Sequence, residues 1–232
     1  MCGIVGYIGN RNRAVDILID GLKRLEYRGY DSAGIAIQNG SGIELFKVKG
    51  KIRDLERIIP SGLEGVMRGI GHTRWATHGA PSTRNAHPHF VEGVAVVHNG
   101  IIENYRELRH FLSDEGVSFY SDTDTEVVPH LISYYLKRGY PEREAILNAL
   151  NHLRGSYALG IMIEGSPEHL YAVRNGSPLV IGMGEGEHFF ASDIPALLPY
   201  TRRFVFLEDC HFCMVRPDSV EIEHIGQNKC KR

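Results

Sequence analysis

The order of hydrophobic periodicities constrains this chain most. Short strand-like runs come first, helical spacing fills the middle, and from Ser156 onward nearly everything reads as strand. Residues 3–8 form an apolar run, and Val15, Leu18, Leu22 and Leu25 then predict an amphipathic helix over 13–26. Strands are expected over 33–37 and 43–48, joined by Gln38-Asn39-Gly40-Ser41, since Asn-Gly is a strong hairpin signal. Ile52, Leu55, Ile58 and Ile59 mark a short helix stopped by Pro60. Strands over 69–73 and 94–98 precede helices over 103–114, 125–137 and 142–153. The remaining strands are expected over 156–163, 169–174, 178–182, 188–191, 203–207, 211–215 and 219–223. Regular βα alternation is absent. The pattern therefore predicts an α+β fold with largely antiparallel sheets, not a doubly wound one.

Four local features punctuate this pattern. Residues 75–90 carry no periodicity and are rich in Gly, Pro, Ser, Asn and His, which marks a segment that is either functional or disordered. Pro129 falls inside the helix expected over 125–137 and should kink it or remove one hydrogen bond. Pro141 at the start of the next helix and Gly155 just past its end suit helix termini. Gly182-Met-Gly-Glu-Gly186 reads as a hairpin, being too irregular for a nucleotide fingerprint.

Composition narrows the function classes. The 232 residues are 43% hydrophobic and 23% charged, an ordinary globular balance. Twenty-six Lys and Arg against 28 Asp and Glu give a formal charge of −2, which does not supply the basic field of a nucleic-acid binder. No apolar run reaches the ~20 residues of a membrane helix, and no signal peptide is recognisable, so a cytoplasmic location is expected. Cys210 and Cys213 make a lone CxxC without a second ligand pair, so structural thiols are expected there rather than zinc or redox chemistry. His87-Pro-His89 lacks matching carboxylate or thiol spacing, and no metal or cofactor is expected. One domain over 2–225 is expected, followed by a polar tail or linker over 226–232.

Cys2 stands apart. Methionine removal tolerates a small second residue, so Cys2 can become the N-terminus. Its α-amine, with an ordinary pKa of about 7.7–8.0, can then take the thiol proton without any histidine. Alone, Cys2 is a buried cysteine of a first strand. Other residues change that reading. Arg74 offers a planar fork for a carboxylate. His98-Asn99-Gly100, at the expected end of a strand, can aim a side-chain amide and a backbone N–H at one oxygen, as an oxyanion hole requires. Asp124, in Asp122-Thr-Asp-Thr-Glu126, is either a helix N-cap or an anionic partner for an ammonium. Together these groups suit a zwitterionic amino acid whose side-chain amide is attacked by a thiol.

The same residues carry a resemblance. Cys2-Gly-Ile-Val-Gly6, Arg28-Gly-Tyr-Asp-Ser-Ala-Gly34, His72-Thr-Arg-Trp-Ala-Thr-His-Gly79, Asn85-Ala-His-Pro88, His98-Asn-Gly-Ile-Ile-Glu-Asn104, Ser121-Asp-Thr-Asp-Thr-Glu126, Arg154-Gly-Ser-Tyr157 and Ala191-Ser-Asp193 span nearly the whole chain in order. They resemble the class II glutamine amidotransferase domain of the N-terminal-nucleophile type. Within that superfamily, Arg24-Leu-Glu-Tyr-Arg-Gly-Tyr30, the run through Trp75 and Asn175-Gly-Ser-Pro-Leu-Val180 resemble the glutamine–fructose-6-phosphate aminotransferase family. Amidophosphoribosyltransferases and asparagine synthetases rank behind it, since they typically differ at Tyr30 and lack the Trp75 run.

The resemblance implies a four-layer αββα sandwich and a set of roles. Cys2 would be the nucleophile and its amine the base. Asn99 and the Gly100 N–H would form the oxyanion hole. Arg74 would hold the carboxylate of L-glutamine, and Asp124 with the Gly100 carbonyl its ammonium. Thr77 and His78 would line the substrate loop, and Trp75 would help close it. Arg28 and Asp31 are expected to support the cysteine loop. The family also carries a C-terminal isomerase half that binds fructose 6-phosphate and supports a homodimer; nothing here corresponds to it. If Met1 is retained, the amine lies one residue from the thiol, and the domain would be a non-catalytic glutamine-binding module. Intact Cys2, Asn99 and Asp124 argue against a purely structural partner subunit.

Overall fold

Period-2 alternation sorts nearly every strand onto two packed sheets. In the computed structural model, which describes residues 2–40, 42–76 and 79–226, the strands are β1 (Gly3–Gly9), β2 (Ser32–Asn39), β3 (Gly42–Lys49), β4 (Arg68–Arg74), β5 (His89–Val91), β6 (Val94–Ile102), β7 (Gly155–Ile163), β8 (Leu170–Asn175), β9 (Val180–Met183), β10 (Glu187–Ala191), β11 (Phe204–Phe206), β12 (His211–Val215) and β13 (Val220–His224). The helices are α1 (Ala14–Leu25), α2 (Ile52–Ile58), α3 (Tyr105–Asp114), α4 (Val127–Lys137) and α5 (Glu142–His152). One sheet runs β11-β9-β10-β1-β4-β2-β3 and the other β13-β12-β8-β7-β6-β5. The pairings are antiparallel.

Alternation sets the layers. Along β1, Val5 and Tyr7 face α1 and α2, while Ile4 and Ile8 face the second sheet. Along β6, Val94 and Val96 pack under α3, α4 and α5, while Ala95 and Val97 meet the first sheet. The layers are therefore helix, sheet, sheet, helix, as the resemblance implied. Small residues line the inter-sheet face. An added Cβ at Gly6 would lie 2.1 Å from the Phe190 ring, and one at Gly160 would lie 2.7 Å from it. Two glycines thus admit one large ring between the sheets. Arg68, 1% exposed, ties the layers at the start of β4. Its guanidinium donates to Gln38 Oε1 at 2.7 Å, Ile163 O at 2.8 Å, His169 O at 2.5 Å and Ser166 O.

Several expectations change. β6 does not end at His98-Asn99-Gly100 but pairs with β7 through Ile102, opposite Gly155. Long-range pairing there overrides the Asn-Gly turn tendency. The loop over 75–90 ends in a strand, because His89–Val91 adds an edge to β6. Helix α4 begins at Val127 rather than 125, so Pro129 sits in its first turn. N–H groups of a first turn have no intrahelical partner, so the proline removes none and no kink is required. Pro141 is the N-cap of α5, and Gly155 opens β7 rather than closing the helix. The hairpin at 182–186 joins β9 to β10, with Gly184 N donating to Glu187 O at 3.0 Å. Cys210 and Cys213 are buried free thiols, and burial pushes Cys213 up to about 12. Of the expected tail, 227–232 lies outside the described residues.

Candidate active site

Antiparallel register delivers Cys2 to its neighbours. Gly3 stands opposite Thr73, so Cys2 and Arg74 leave the first sheet at the same edge. Ser32 stands opposite Arg74 on the other side, which brings Asp31 beside the chain leaving β4. Asp31 fixes that chain. Its N–H donates to Arg74 O at 3.0 Å, and its Oδ2 accepts from Ala76 N at 2.9 Å. The expected supporting role of Asp31 is thereby given a geometry. Trp75, held between these two bonds, donates its N–H to Cys2 Sγ at 3.2 Å, and the thiol donates to Trp75 O at 3.4 Å.

The second sheet supplies the other wall. Asn99, on β6, donates Nδ2–H to Cys2 O at 3.0 Å. Its amide carries two N–H groups, so one remains for a second acceptor. Gly100 follows at φ 122°, and a Cβ there would lie 2.0 Å from Ser156 O on β7. Only glycine fits that approach. Cys2, Trp75, Asn99 and Gly100 line one cavity of about 280 Å³, together with Arg28, Ile101, Ser177 and Pro178.

Burial raises the Cys2 thiol above its ordinary pKa; the Trp75 N–H and the Arg74 charge draw it back, and Asp31 pushes it up. The net shift is upward, so at neutral pH the sulfur is a thiol and needs a base to become a nucleophile.

Arg74 and Asp124 are buried and do not line that cavity. Burial lowers the Arg74 pKa, while Cys2, Asp124 and Asp31 favour its charge, which puts all three within electrostatic reach of the guanidinium. Arg74 Nη2 donates to Gly79 O at 3.1 Å. Asp124 is not an N-cap, because α4 begins three residues later at Val127. Its Oδ2 instead accepts the Ile102 N–H at 2.8 Å, fixing it to the end of β6. Thr77, His78 and Met1 lie outside the described residues.

The site also uses residues that the motifs contained but to which no place in the cavity was assigned. Arg28, expected only as support, lines the cavity and donates to Asp193 Oδ2 at 2.9 Å. Ser177, whose hydroxyl lies 3.1 Å from that of Ser156, and Pro178 come from the turn after β8. Nothing in the sequence places that turn beside β6; only the pairing of β7 with both strands does. His87 and His89 contact the hydroxyls of Thr125 at 3.4 Å and Thr123 at 2.9 Å. Among the described residues, no three His, Cys, Asp or Glu side chains converge as a metal site. Among them too, no helix is long and apolar enough to cross a membrane.

Comparison with known proteins identifies the family and the fold. The profile of the glutamine amidotransferase domain matches residues 72–199. Glutamine–fructose-6-phosphate aminotransferase (isomerizing) of Clostridium perfringens is 51% identical over 225 residues, which cover 96% of this chain and 36% of that protein. The enzyme of the same name from Thermococcus kodakarensis is also 51% identical, over 97% of this chain and 38% of its own length. The chain thus spans little more than a third of these relatives. Among solved structures, the glutamine phosphoribosylpyrophosphate amidotransferase of B. subtilis superposes with a TM-score of 0.81 at 29% identity, over 97% of this chain and 49% of that one. The αββα sandwich is that of an N-terminal-nucleophile amidotransferase, and the chain belongs to the glutamine amidotransferase domain family.

Proposed function

We propose that this domain hydrolyses the side-chain amide of L-glutamine to glutamate and ammonia, with Cys2 as nucleophile. The observation that carries the reading is the meeting of Cys2 with Asn99 and Gly100 in one cavity, from opposite sheets. Once Met1 is removed, the Cys2 α-amine takes the thiol proton as Sγ bonds to the amide carbon. The carbonyl electron pair moves onto oxygen, where the free N–H of Asn99 and the Gly100 N–H receive it. The amine returns its proton to nitrogen, the C–N bond breaks and ammonia leaves. The resulting γ-glutamyl thioester is cleaved by water, which gives up a proton to the amine, and the thiol is restored.

The remaining roles follow from charge. Arg74 binds the α-carboxylate bidentately and Asp124, with the Gly100 carbonyl, the α-ammonium. Their opposite charges within mutual reach support a zwitterion site. Trp75 closes the cavity, and the family resemblance assigns glutamine binding to Thr77 and His78 as well. The 51% identity to aminotransferases points to fructose 6-phosphate as the ammonia acceptor in a longer cytoplasmic protein. In that reading 2–225 is the glutaminase unit, 226–232 begins a linker, and a sugar-phosphate half supplies the acceptor site and the homodimer contact. The 29% identity to the B. subtilis enzyme makes a phosphoribosyl acceptor the second reading.

The test is glutamate release from L-glutamine by the purified chain, with intact mass reporting whether Met1 is gone. Turnover by the des-Met form, lost in Cys2→Ala, is the expected result. Equal turnover with Met1 retained sinks the N-terminal amine as base, and turnover by Cys2→Ala sinks the nucleophile.

A further inference from the structure

Behind the cavity lies a stack of buried imidazoles. His72, on β4 and fully buried, has two contacts through one nitrogen: Nε2 lies 2.9 Å from His98 O and 3.0 Å from Asn99 Oδ1. Both partners are acceptors. The first is a backbone carbonyl. The second is the amide oxygen of a residue whose nitrogen already donates to Cys2 O. Nε2 must therefore carry the hydrogen, and His72 is the Nε2–H tautomer. Its Nδ1 is buried without a hydrogen-bond partner, as an unprotonated nitrogen tolerates better than a protonated one.

We propose that His72 is a positioning residue that sets the orientation of the Asn99 amide, keeping its N–H groups towards Cys2 and its oxygen away. The proposal rests on the reading of Asn99 as an oxyanion donor. The physical reason is the two-fold ambiguity of a primary amide. Rotated by half a turn, Asn99 would set Oδ1 against Cys2 O, acceptor against acceptor, and would present an oxygen to the developing oxyanion. The His72 N–H removes that alternative, since the flipped form would also set donor against donor. The ring is held in turn. It stacks on His87 with centroids 4.2 Å apart and planes at 22°. His87 is itself fixed, its Nδ1 accepting the His98 N–H at 3.2 Å. The pair of contacts from His72 to His98 O and Asn99 Oδ1 also joins β4 of one sheet to β6 of the other, so the orientation is set across the sandwich.

The test is glutaminase kinetics of the des-Met chain with His72→Leu, His72→Gln, Asn99→Ala and the double variant His72→Leu/Asn99→Ala. His72→Leu should lower kcat by about 10–100-fold with KM nearly unchanged, part of the ~10²–10³ that one oxyanion donor contributes. His72→Gln, whose amide N–H can replace Nε2–H, should recover most of it. In the Asn99→Ala background, His72→Leu should lower kcat no further. Equal factors in both backgrounds, or a rise in KM at constant kcat, overturn the proposal. Unchanged kcat in Asn99→Ala alone removes the oxyanion reading instead. Because His72→Leu can fail to fold, nitrogen-15 NMR of the wild-type ring provides the second measurement. The Nε2–H tautomer is expected, and the neutral Nδ1–H tautomer overturns the proposal.

Discussion

Acidification from pH 7.5 to 5.5 should destabilise this domain by about 4 kcal/mol, through histidines alone. His72, His87 and His89 are 0%, 5% and 3% exposed. Burial lowers all three: His72 to about 3 despite hydrogen bonds at Asn99 and His98, His87 and His89 well below the usual range. The Arg74 charge adds to the effect at His87 and the Lys47 charge at His89, where Glu126 opposes it, and each imidazole disfavours a proton on its neighbours. In the unfolded chain each returns to about 6.5. Below that pH the unfolded state binds more protons than the folded one, so stability falls as pH falls. At pH 5.5 each imidazole contributes ~1.4 kcal/mol of that loss, or ~4 kcal/mol for three. Ordinary carboxylates stay ionised across the window, which isolates the histidines. The assay is urea unfolding at both pH values, followed by circular dichroism. A free energy of unfolding unchanged within ~1 kcal/mol would refute the reasoning, because it would mean that the folded state also takes up these protons. His89→Gln should shrink the loss by about a third, since one of three equal contributions of ~1.4 kcal/mol is removed.

Gly100→Ala should lower kcat by about 10², the effect of moving a reacting group by ~1 Å. It should also destabilise by more than the ~1–3 kcal/mol of a strained backbone. Its Cβ would lie 2.0 Å from Ser156 O, whereas Gly116, also at positive φ, has nothing within 4 Å. Equal stability losses in Gly100→Ala and Gly116→Ala would discount the clash. Arg74→Lys should raise KM for glutamine by about tenfold or more, since an ammonium does not reproduce the bidentate fork; steady-state kinetics with unchanged KM would remove Arg74 from the site. Arg68→Met should cost at least about 1.5–3 kcal/mol in urea unfolding, the contribution of a single charge-assisted hydrogen bond. It should leave the KM for glutamine unchanged, because Arg68 lies at the far end of β4 from Cys2.

Much of the candidate site was legible because its chemistry is local. Cys2 announces itself by position, Arg74 and Asn99 by residue type in short motifs. The helices and most strands were legible from periodicity, since one buried face repeats along each. The misreadings share one cause. Asn99-Gly100 has the composition of a turn, yet β7 pairs through it to Ile102. Asp124 allowed both a helix cap and an anionic partner, and only the fold, which sets it on the Ile102 N–H three residues before α4, removes the cap. His72 belongs to a quoted motif, but its function depends on an amide across the sandwich.

By itself the sequence determined an α+β class with antiparallel sheets, and its motifs, through the family they resemble, supplied the αββα layering, the proposed nucleophile and the polar groups proposed for a glutamine site. Periodicity and motif chemistry depend on neighbours within a few residues. The tertiary structure alone decided which groups meet: Cys2 with Asn99 and Trp75, Asp124 with the Ile102 N–H, Ser177 with Gly100, and His72 with the amide that it orients. Those meetings depend on strand register and on the approach of two sheets. Both are set by long-range pairing and by the small residues between the layers, and no short stretch of sequence encodes either.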